Sequence, residues 1–211
     1  MNSVSMQITL SNIGKKYNQD WIFRNINAGF TAGEAYAILG SNGSGKSTLL
    51  QIISGRVTQS SGLRAYSIAG VEVSEEDVFR HLTFATPYQE LIEEYTVQEM
   101  LKLHQKLKPL FSGIGEKEFL DLLAFQRIKD KPIRYFSSGM KQRVKLAFAI
   151  LSDVPLVLLD EPCSNLDQQG IAWYHALVEK YHENRLFIVC SNHVQEEIAF
   201  CTLKLNVNDY K

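Results

Sequence analysis

The sequence predicts an α/β fold in which a core of buried strands and helices follows a β-rich region and is interrupted by a mostly helical insertion. Short apolar runs alternate with helix-like runs at both ends of the chain, which is typical of strands connected by crossover helices. Before Gly40 the chain is instead a series of strand-like runs separated by turn residues. From Thr96 to about Leu151 the apolar residues have helical spacing.

The individual elements follow from these patterns in chain order. The predicted strands are Met6 to Leu10, Trp21 to Phe30, Ala35 to Leu39, Leu63 to Ile68, His81 to Ala85, Leu156 to Leu159 and Arg185 to Ser191. Outside the insertion, the predicted helices are Thr48 to Ser54 and Gln168 to Tyr181. Early turns are expected at Asn12, Gly14, Asn18, Gly29 and Gly33, which are common turn residues.

Composition excludes several classes of protein. The 211 residues fit one large domain or two small ones, and the net charge of −1 does not favour a general nucleic-acid binder. No apolar run approaches the ~18 residues that span a bilayer, and Met1 to Leu10 lacks the regions of a signal peptide. The three cysteines form no C-x-x-C pair, so we expect buried thiols in a cytoplasmic protein.

A glycine-rich loop lies between a predicted strand and a predicted helix. It fits the pattern G-x-x-x-x-G-K-[ST] in the strand–loop–helix context that a phosphate-binding loop requires. Its backbone N–H groups and the following helix end would bind the phosphates of a nucleoside triphosphate such as ATP. Lys46 would contact the β- and γ-phosphates, and the Ser47 hydroxyl would ligate Mg²⁺. The phosphate loop consists of Gly40, Ser41, Asn42, Gly43, Ser44, Gly45, Lys46, Ser47 and Thr48.

Two acidic residues follow the apolar strand Leu156 to Leu159 directly. A buried strand end is a costly place for carboxylates unless they meet a cation or take part in chemistry. Asp160 fits the acid that holds Mg²⁺, usually through water, and Glu161 fits a base that orients an attacking water. The alternative is that these acids cap a helix N-terminus. The phosphate loop favours the catalytic interpretation.

Between these two motifs, Phe136, Ser137, Ser138, Gly139 and Met140 precede an apolar helix. Here the chain resembles the ATP-binding cassette (ABC) ATPases, whose signature Leu-Ser-Gly-Gly-Gln opens a helix at this distance from the second acidic strand. We call Phe136–Met140 the signature segment.

The resemblance continues in family order along the whole chain. It implies a Q-loop glutamine at Gln89 that contacts the metal, a D-loop at Ser164 to Asp167 and a switch histidine at His193. Taken alone, Gln89 would be an ordinary surface residue and His193 a structural one. Tyr17 stands about where the family stacks an aromatic side chain on adenine, and Trp21 and Phe23 are nearby alternatives for that stacking role. Tyr17 could instead be an ordinary core residue.

The resemblance implies a P-loop NTPase core (RecA-like) with an N-terminal antiparallel β subdomain and a helical insertion subdomain. Residues 1–211 would form a single ABC ATPase domain, with 96–151 as the helical signature subdomain and 1–95 plus 152–211 as the rest. The family binds ATP with Mg²⁺ and hydrolyses it between two head-to-tail chains, identical or homologous. A separate membrane-embedded permease subunit and a location at the inner face of the cell membrane are also implied, with no direct nucleic-acid partner.

Two signature positions depart from the family pattern. Ser138 replaces a glycine, which restricts the backbone, and Met140 replaces a glutamine and so loses its hydrogen-bonding groups. The variant resembles one common among subunits of bacterial exporters, so we expect an active ATPase that powers export. The alternatives are a soluble ABC ATPase acting on nucleic acid or ribosomes, and a regulatory module without turnover. An ATPase that acts on nucleic acid would carry a basic patch, which this chain lacks. A regulatory module without turnover would have lost Glu161 or His193, and both are present.

Overall fold

Two β-sheets organise the chain in a computed structural model that describes residues 5–211. The described part does not include residues 1–4. These residues begin the predicted domain and the segment Met1 to Leu10, for which no signal peptide is predicted. The strands are β1 (Met6–Tyr17), β2 (Asp20–Thr31), β3 (Ala35–Leu39), β4 (Ser61–Ile68), β5 (Val71–Val73), β6 (Leu82–Ala85), β7 (Leu156–Asp160), β8 (Leu186–Ser191) and β9 (Leu203–Asn206). The α-helices are α1 (Lys46–Ile53), α2 (Val97–Leu107), α3 (Glu116–Leu123), α4 (Ser138–Leu151), α5 (Gln168–Tyr181) and α6 (Gln195–Ile198).

The predicted mixed α/β fold is confirmed by the sheet topology. One sheet has the order β2-β1-β4-β5, and its paired strands are antiparallel. The other has the order β6-β7-β8-β3-β9, and all its neighbours run parallel. Parallel neighbours need crossover connections, which the helices supply. The carboxyl ends of β3, β7 and β8 therefore meet at one edge of the parallel sheet.

The parallel sheet separates two hydrophobic cores, because successive side chains of a strand point to opposite faces. In β7, Val157 and Leu159 join a cluster with the helices of the insertion. Leu156 and Leu158 join a second cluster, with α1 and the antiparallel sheet. Strands buried on both faces explain the uninterrupted apolar runs in the sequence. The strand ends are thus held rigidly from both sides.

Asn18 and Gly33 lie in turns as predicted, but the antiparallel sheet corrects the predictions at Asn12, Gly14 and Gly29. Asn12 and Gly14 lie inside one long strand, where the pairing of β1 with β2 shifts register between Leu10 and Lys15. Asn12 adopts a positive φ of 53°, and its amide N–H donates to the Asn27 side chain at 2.9 Å. Asparagine tolerates this backbone region, so a β-bulge had the same sequence signal as a turn. Gly29 likewise lies within β2 rather than in a turn.

The helical insertion starts one residue later than predicted, at Val97. Thr96 caps α2, since its hydroxyl accepts from the Glu99 amide at 3.3 Å while the Glu99 carboxylate accepts from the Thr96 amide at 2.8 Å. The prediction that His81 begins a strand is wrong, because His81 ends a 3-10 turn before β6. The insertion helices share one core with the parallel sheet. The division of the domain at 96 and 151 stays a prediction.

No helix among residues 5–211 has the length and apolar character needed to cross a membrane.

Candidate functional site

The phosphate loop connects β3 to α1 at the carboxyl edge of the parallel sheet. Gly45 precedes α1 with φ near 105°, and a Cβ there would lie 2.5 Å from the Ile22 side chain. Only glycine fits that position, because it combines a left-handed backbone with close approach to β2. The buried Ser44 hydroxyl has no hydrogen-bond partner within the described chain. The loop is thus held against β2 and keeps a polar group to offer a ligand.

Lys46 is the first residue of α1 and is only 5% exposed. Its ammonium donates to the carbonyl oxygens of Gly40 at 2.9 Å and Ser41 at 3.2 Å. These bonds fold the side chain back over the phosphate loop at the positive end of the helix. A cation in this place is positioned to face bound phosphate.

Ser47 and Asp160 bring two oxygen donors together across the end of β7. Burial raises the pKa of the Asp160 carboxyl, while a hydrogen bond with the Ser47 hydroxyl opposes that rise. Asp160 is 4% exposed, and its Oδ1 has no partner within residues 5–211. Hard oxygen ligands suit Mg²⁺, which keeps several waters and takes few protein groups. The pair therefore fits Mg²⁺. The described part contains no group of three or more His, Cys, Asp or Glu residues that could hold a metal ion by themselves.

Glu161 follows Asp160 in a strained backbone conformation, with φ of 44°. Its amide N–H donates to the carbonyl oxygen of Cys190 in β8 at 3.0 Å, which fixes the turn against the neighbouring strand. Non-glycine residues held at positive φ cost about 1–3 kcal/mol and cluster at functional sites. The half-buried carboxylate is thereby placed beside Asp160 rather than at a helix N-cap.

A cavity of about 400 Å³ unites the two strongest motifs, and we call it the phosphate-loop cavity. Its lining includes predicted residues from both motifs, namely Asn42, Gly43, Gly45, Lys46, Ser47, Thr48, Asp160 and Glu161. Ile22, Pro87 and Tyr88 also line it and were missed in the sequence. The sequence pointed to these residues only through their positions. Ile22 lies between two candidate aromatics, and the other two lie just before Gln89.

Gly40, Ser41 and Ser44 of the phosphate loop lie outside that lining, and so do Gln89, Tyr17 and His193. Gln89 is exposed and lines a neighbouring cavity of about 380 Å³ between β6 and the insertion. Tyr17 is half exposed at the end of β1, with the Lys15 ammonium 4.9 Å from its ring centroid. His193 is exposed just after β8, at a positive φ of 60°. Their catalytic and stacking roles stay predictions.

The signature segment forms a helix start that does not line the phosphate-loop cavity of its own chain. Ser137 is the N-cap of α4, and its hydroxyl accepts from the Met140 amide at 3.2 Å. Ser138 is exposed, and a Cβ on Gly139 would lie 2.7 Å from the Asn165 carbonyl oxygen. Asp167 caps α5 by accepting from the Gly170 amide at 2.7 Å. None of Ser137, Ser138, Gly139 or Asp167 lines that cavity.

A larger cavity of about 770 Å³ lies between α3 and the end of α5. Phe111 stacks on Tyr181 there, with ring centroids 5.5 Å apart. It contains none of the predicted site residues, so its size does not make it the nucleotide site.

The fold and the phosphate-loop cavity together define a nucleotide-binding P-loop ATPase. The family model described as ABC transporter matches residues 23–164. The chain belongs to the ABC transporter family, as an ATP-binding subunit and ATPase.

Curated relatives match nearly the whole chain. The lantibiotic transport ATP-binding protein SrtF of Streptococcus pyogenes is 30% identical over 196 residues, covering 90% of this chain and 82% of SrtF. The lipoprotein-releasing system protein LolD of Ehrlichia ruminantium is 30% identical, with 96% of each chain covered. The sulfate/thiosulfate import protein CysA of Pseudomonas aeruginosa is 31% identical over 91% of this chain and 60% of CysA.

Solved structures confirm the fold. An ATP-binding subunit of an ABC transporter has a TM-score of 0.77 and 26% identity, covering 94% of this chain and 85% of that one. A dimeric ATP-binding cassette in a post-hydrolysis state with ADP and Pi has a TM-score of 0.75 and 22% identity, covering 94% and 93%.

Proposed function

We propose that this chain hydrolyses ATP within a head-to-tail dimer and thereby powers a separate membrane protein of an export system. One observation carries the dimer proposal. The phosphate loop, Asp160 and Glu161 share one cavity, whereas the signature segment presents an exposed helix N-terminus elsewhere. A second chain related by a two-fold axis would bring that helix end to the open side of the cavity.

Each residue of the site has a proposed role in phosphoryl transfer, which depends on positioning and charge neutralisation. Lys46 binds the β- and γ-phosphates, and Ser47 and Asp160 would hold Mg²⁺, with Gln89 as a further contact. When bound at these residues, Mg²⁺ would supply positive charge that offsets the charge of the phosphates. Glu161 orients the attacking water, and His193 contacts the γ-phosphate. Tyr17 would stack on the adenine.

The signature residues would complete the site from the opposite chain. The Ser137 hydroxyl and the first N–H groups of α4 form an anion-binding helix end on a helix of 14 residues. Asp167, capping α5 nearby, would line the same dimer interface. Because every motif occurs once in the chain, two chains are needed to form a composite site.

Mixing two inactive variants tests the shared sites. Ser137→Arg blocks the signature segment, and Lys46→Ala disables the phosphate loop. A mixed dimer then has one intact site and one doubly damaged site, so mixing should restore some ATPase activity. Mixed dimers demonstrated by two affinity tags, but inactive at every ratio, would refute the composite site.

The neighbouring 380 Å³ cavity, which we call the insertion groove, supports a docked membrane partner. Exposed Phe79 and Leu107 flank it with apolar surface. Lys108 and Lys145 line it, and burial lowers the pKa of Lys108 to about 8. An apolar groove with cations fits a short amphipathic helix that carries an acidic residue. Gln89 also lines the groove, which would couple docking to the nucleotide site.

Residues after Gln89 extend this surface only in part. Leu91 packs against the core of the insertion, so it is a packing residue. Ile92 and Tyr95 are 39% and 37% exposed and remain available to a partner. Charge substitutions there should uncouple a membrane complex reconstituted from this chain and its membrane partner. The isolated chain should keep its melting temperature and ATP affinity, and loss of either would place these residues in the core.

Export is favoured by the signature variant. The names of the relatives include lantibiotic transport and lipoprotein release but also import, so direction needs its own assay. In inside-out vesicles containing the membrane complex, an exporter accumulates its substrate inside when ATP is added outside. ATP-driven loss from preloaded vesicles would overturn export. The proposed location is cytoplasmic, at the inner face of the membrane.

A further inference from the structure

Glu197, in the short helix α6, is a buried carboxyl that the proposed mechanism does not use. It is 3% exposed, and its Oε1 accepts a hydrogen bond from the Cys163 amide at 3.2 Å. Its own amide N–H donates to the carbonyl oxygen of Val194, the residue after His193, at 3.1 Å. Oε2 has no partner among residues 5–211. A buried carboxyl with incomplete hydrogen bonding is costly, so its presence needs an explanation.

The two residues that Glu197 bonds belong to the two catalytic loops, Cys163 through the side chain and Val194 through the backbone. Cys163 lies two residues after Glu161, and Val194 immediately follows His193. Both catalytic residues have strained backbones, with φ of 44° at Glu161 and 60° at His193. Such conformations persist only when the surroundings hold them. Glu197 therefore links the two loops, with its carboxylate on one and its backbone amide on the other.

A cavity of about 430 Å³ lies between the same two loops. Glu161 lines it on one side, Asn192 and Val194 line it on the other, and Glu197 contributes to its wall. Asn192 and Val194 immediately flank His193 in the chain. The Glu161 amide joins the two loops at their base, where it donates to the Cys190 carbonyl oxygen at 3.0 Å. Beyond that bond, the hydrogen bond from Cys163 to the Glu197 carboxylate spans this cavity.

We propose that Glu197 is a positioning residue that sets the separation between Glu161 and His193, because its carboxylate accepts from the Cys163 amide while its own amide is bonded to Val194. This inference rests on the proposed roles of Glu161 and His193. The function of Glu197 is that of an acceptor, so an amide oxygen can replace its carboxylate. Residues that orient catalytic groups in this indirect way typically contribute about 10- to 100-fold to activity.

A simple packing role predicts a different pattern of effects. The Tyr174 hydroxyl donates to the Glu197 backbone carbonyl at 3.0 Å and anchors α6 independently of the Glu197 side chain. Removing the side chain should therefore leave the helix docked. Hydrolysis should fall while ATP binding at the phosphate loop is kept.

The experiment compares Glu197→Ala, Glu197→Gln and the control Glu196→Ala, which makes the same change at an exposed position of the same helix. For each purified protein, melting temperature, affinity for a fluorescent ATP analogue and ATPase turnover are measured. We expect Glu197→Ala to lose about 10-fold or more in turnover with ATP affinity kept within about twofold. Glu197→Gln should retain most of the turnover, and Glu196→Ala all of it.

Three results would overturn the proposal. These are unchanged turnover in Glu197→Ala, parallel loss of ATP affinity and turnover, or a Glu197→Gln variant as inactive as Glu197→Ala. Should Glu197→Ala fail to fold, Glu197→Met keeps a side chain of similar length but removes the acceptor, and it must lower turnover with affinity kept. Glu161→Gln, measured alongside, separates the two hypotheses. If that variant is fully active, the catalytic assignment fails, whatever Glu197 does.

Discussion

Replacing Lys46 by alanine should separate nucleotide affinity from stability. The ammonium is buried and already held over the phosphate loop by the Gly40 and Ser41 carbonyls, so it meets the phosphates without reorganisation. At ~4 Å and an effective dielectric constant of ~20, one pair of unit charges is worth about 4 kcal/mol. A charge-assisted hydrogen bond contributes about 1.5–3 kcal/mol. We expect ATP affinity to fall by about 10²- to 10³-fold, equivalent to roughly 3–4 kcal/mol.

Folding stability should change much less than affinity in Lys46→Ala. The substitution leaves two carbonyls without their donor but also removes a buried charge, and these effects oppose each other. We expect the free energy of unfolding to change by less than about 1 kcal/mol, so the melting temperature should shift by no more than roughly 2–4 °C.

Titration with a fluorescent ATP analogue measures the affinity, and Lys211→Ala is the matched control. The Lys211 ammonium donates to the carbonyl of Ser44 in the same loop at 3.0 Å, but from an exposed position. That variant should bind ATP within about threefold of the parent, because exposed charges are screened by solvent. Equal affinities for both lysine variants and the parent would refute the phosphate-binding role of Lys46.

Two further predictions concern catalysis and pH. Glu161→Gln should keep ATP binding but lower turnover by about 10²-fold or more, and it should accumulate an ATP-bound dimer in gel filtration; turnover within a few-fold of the parent contradicts the base assignment. Burial lowers the pKa of His104 to about 4, so the folded chain resists protonation that the unfolded chain accepts. Stability should therefore fall as pH drops from about 6.5 to about 4, by up to roughly 3 kcal/mol, and urea unfolding of His104→Phe should show a shallower dependence.

Local chemistry explains why the main site was predictable from the sequence. A phosphate loop needs glycine, lysine and a hydroxyl at fixed spacing, so that spacing alone predicts the phosphate and Mg²⁺ contacts of Lys46 and Ser47. The end of β7 was equally visible, because a run buried on both faces is uniformly apolar and the following acids stand out. The structure confirmed the α/β fold and placed both motifs in one cavity.

Features that depend on distant contacts were not predictable. Asn12 has the sequence signal of a turn, and only its pairing with β2 reveals a bulge. The edge strands β5 and β9 are too short for a recognisable alternation. Glu196 and Glu197 are adjacent glutamates, and both would be expected on the exposed face of a helix. Only the packing of α6 shows that Glu197 is buried and Glu196 exposed. A single sequence contains no signal for such a distinction.

The left-handed backbone at Glu161 has a consequence for how this chain responds to selection. Glycine or asparagine would occupy that conformation at lower cost than glutamate. Mutants selected only for heat resistance should therefore replace Glu161 early and lose hydrolysis with it. Selection for transport should restore the glutamate, although the folded state is weakened by it. Folding stability and ATP hydrolysis favour different residues at this position, and the chain has the residue that hydrolysis requires.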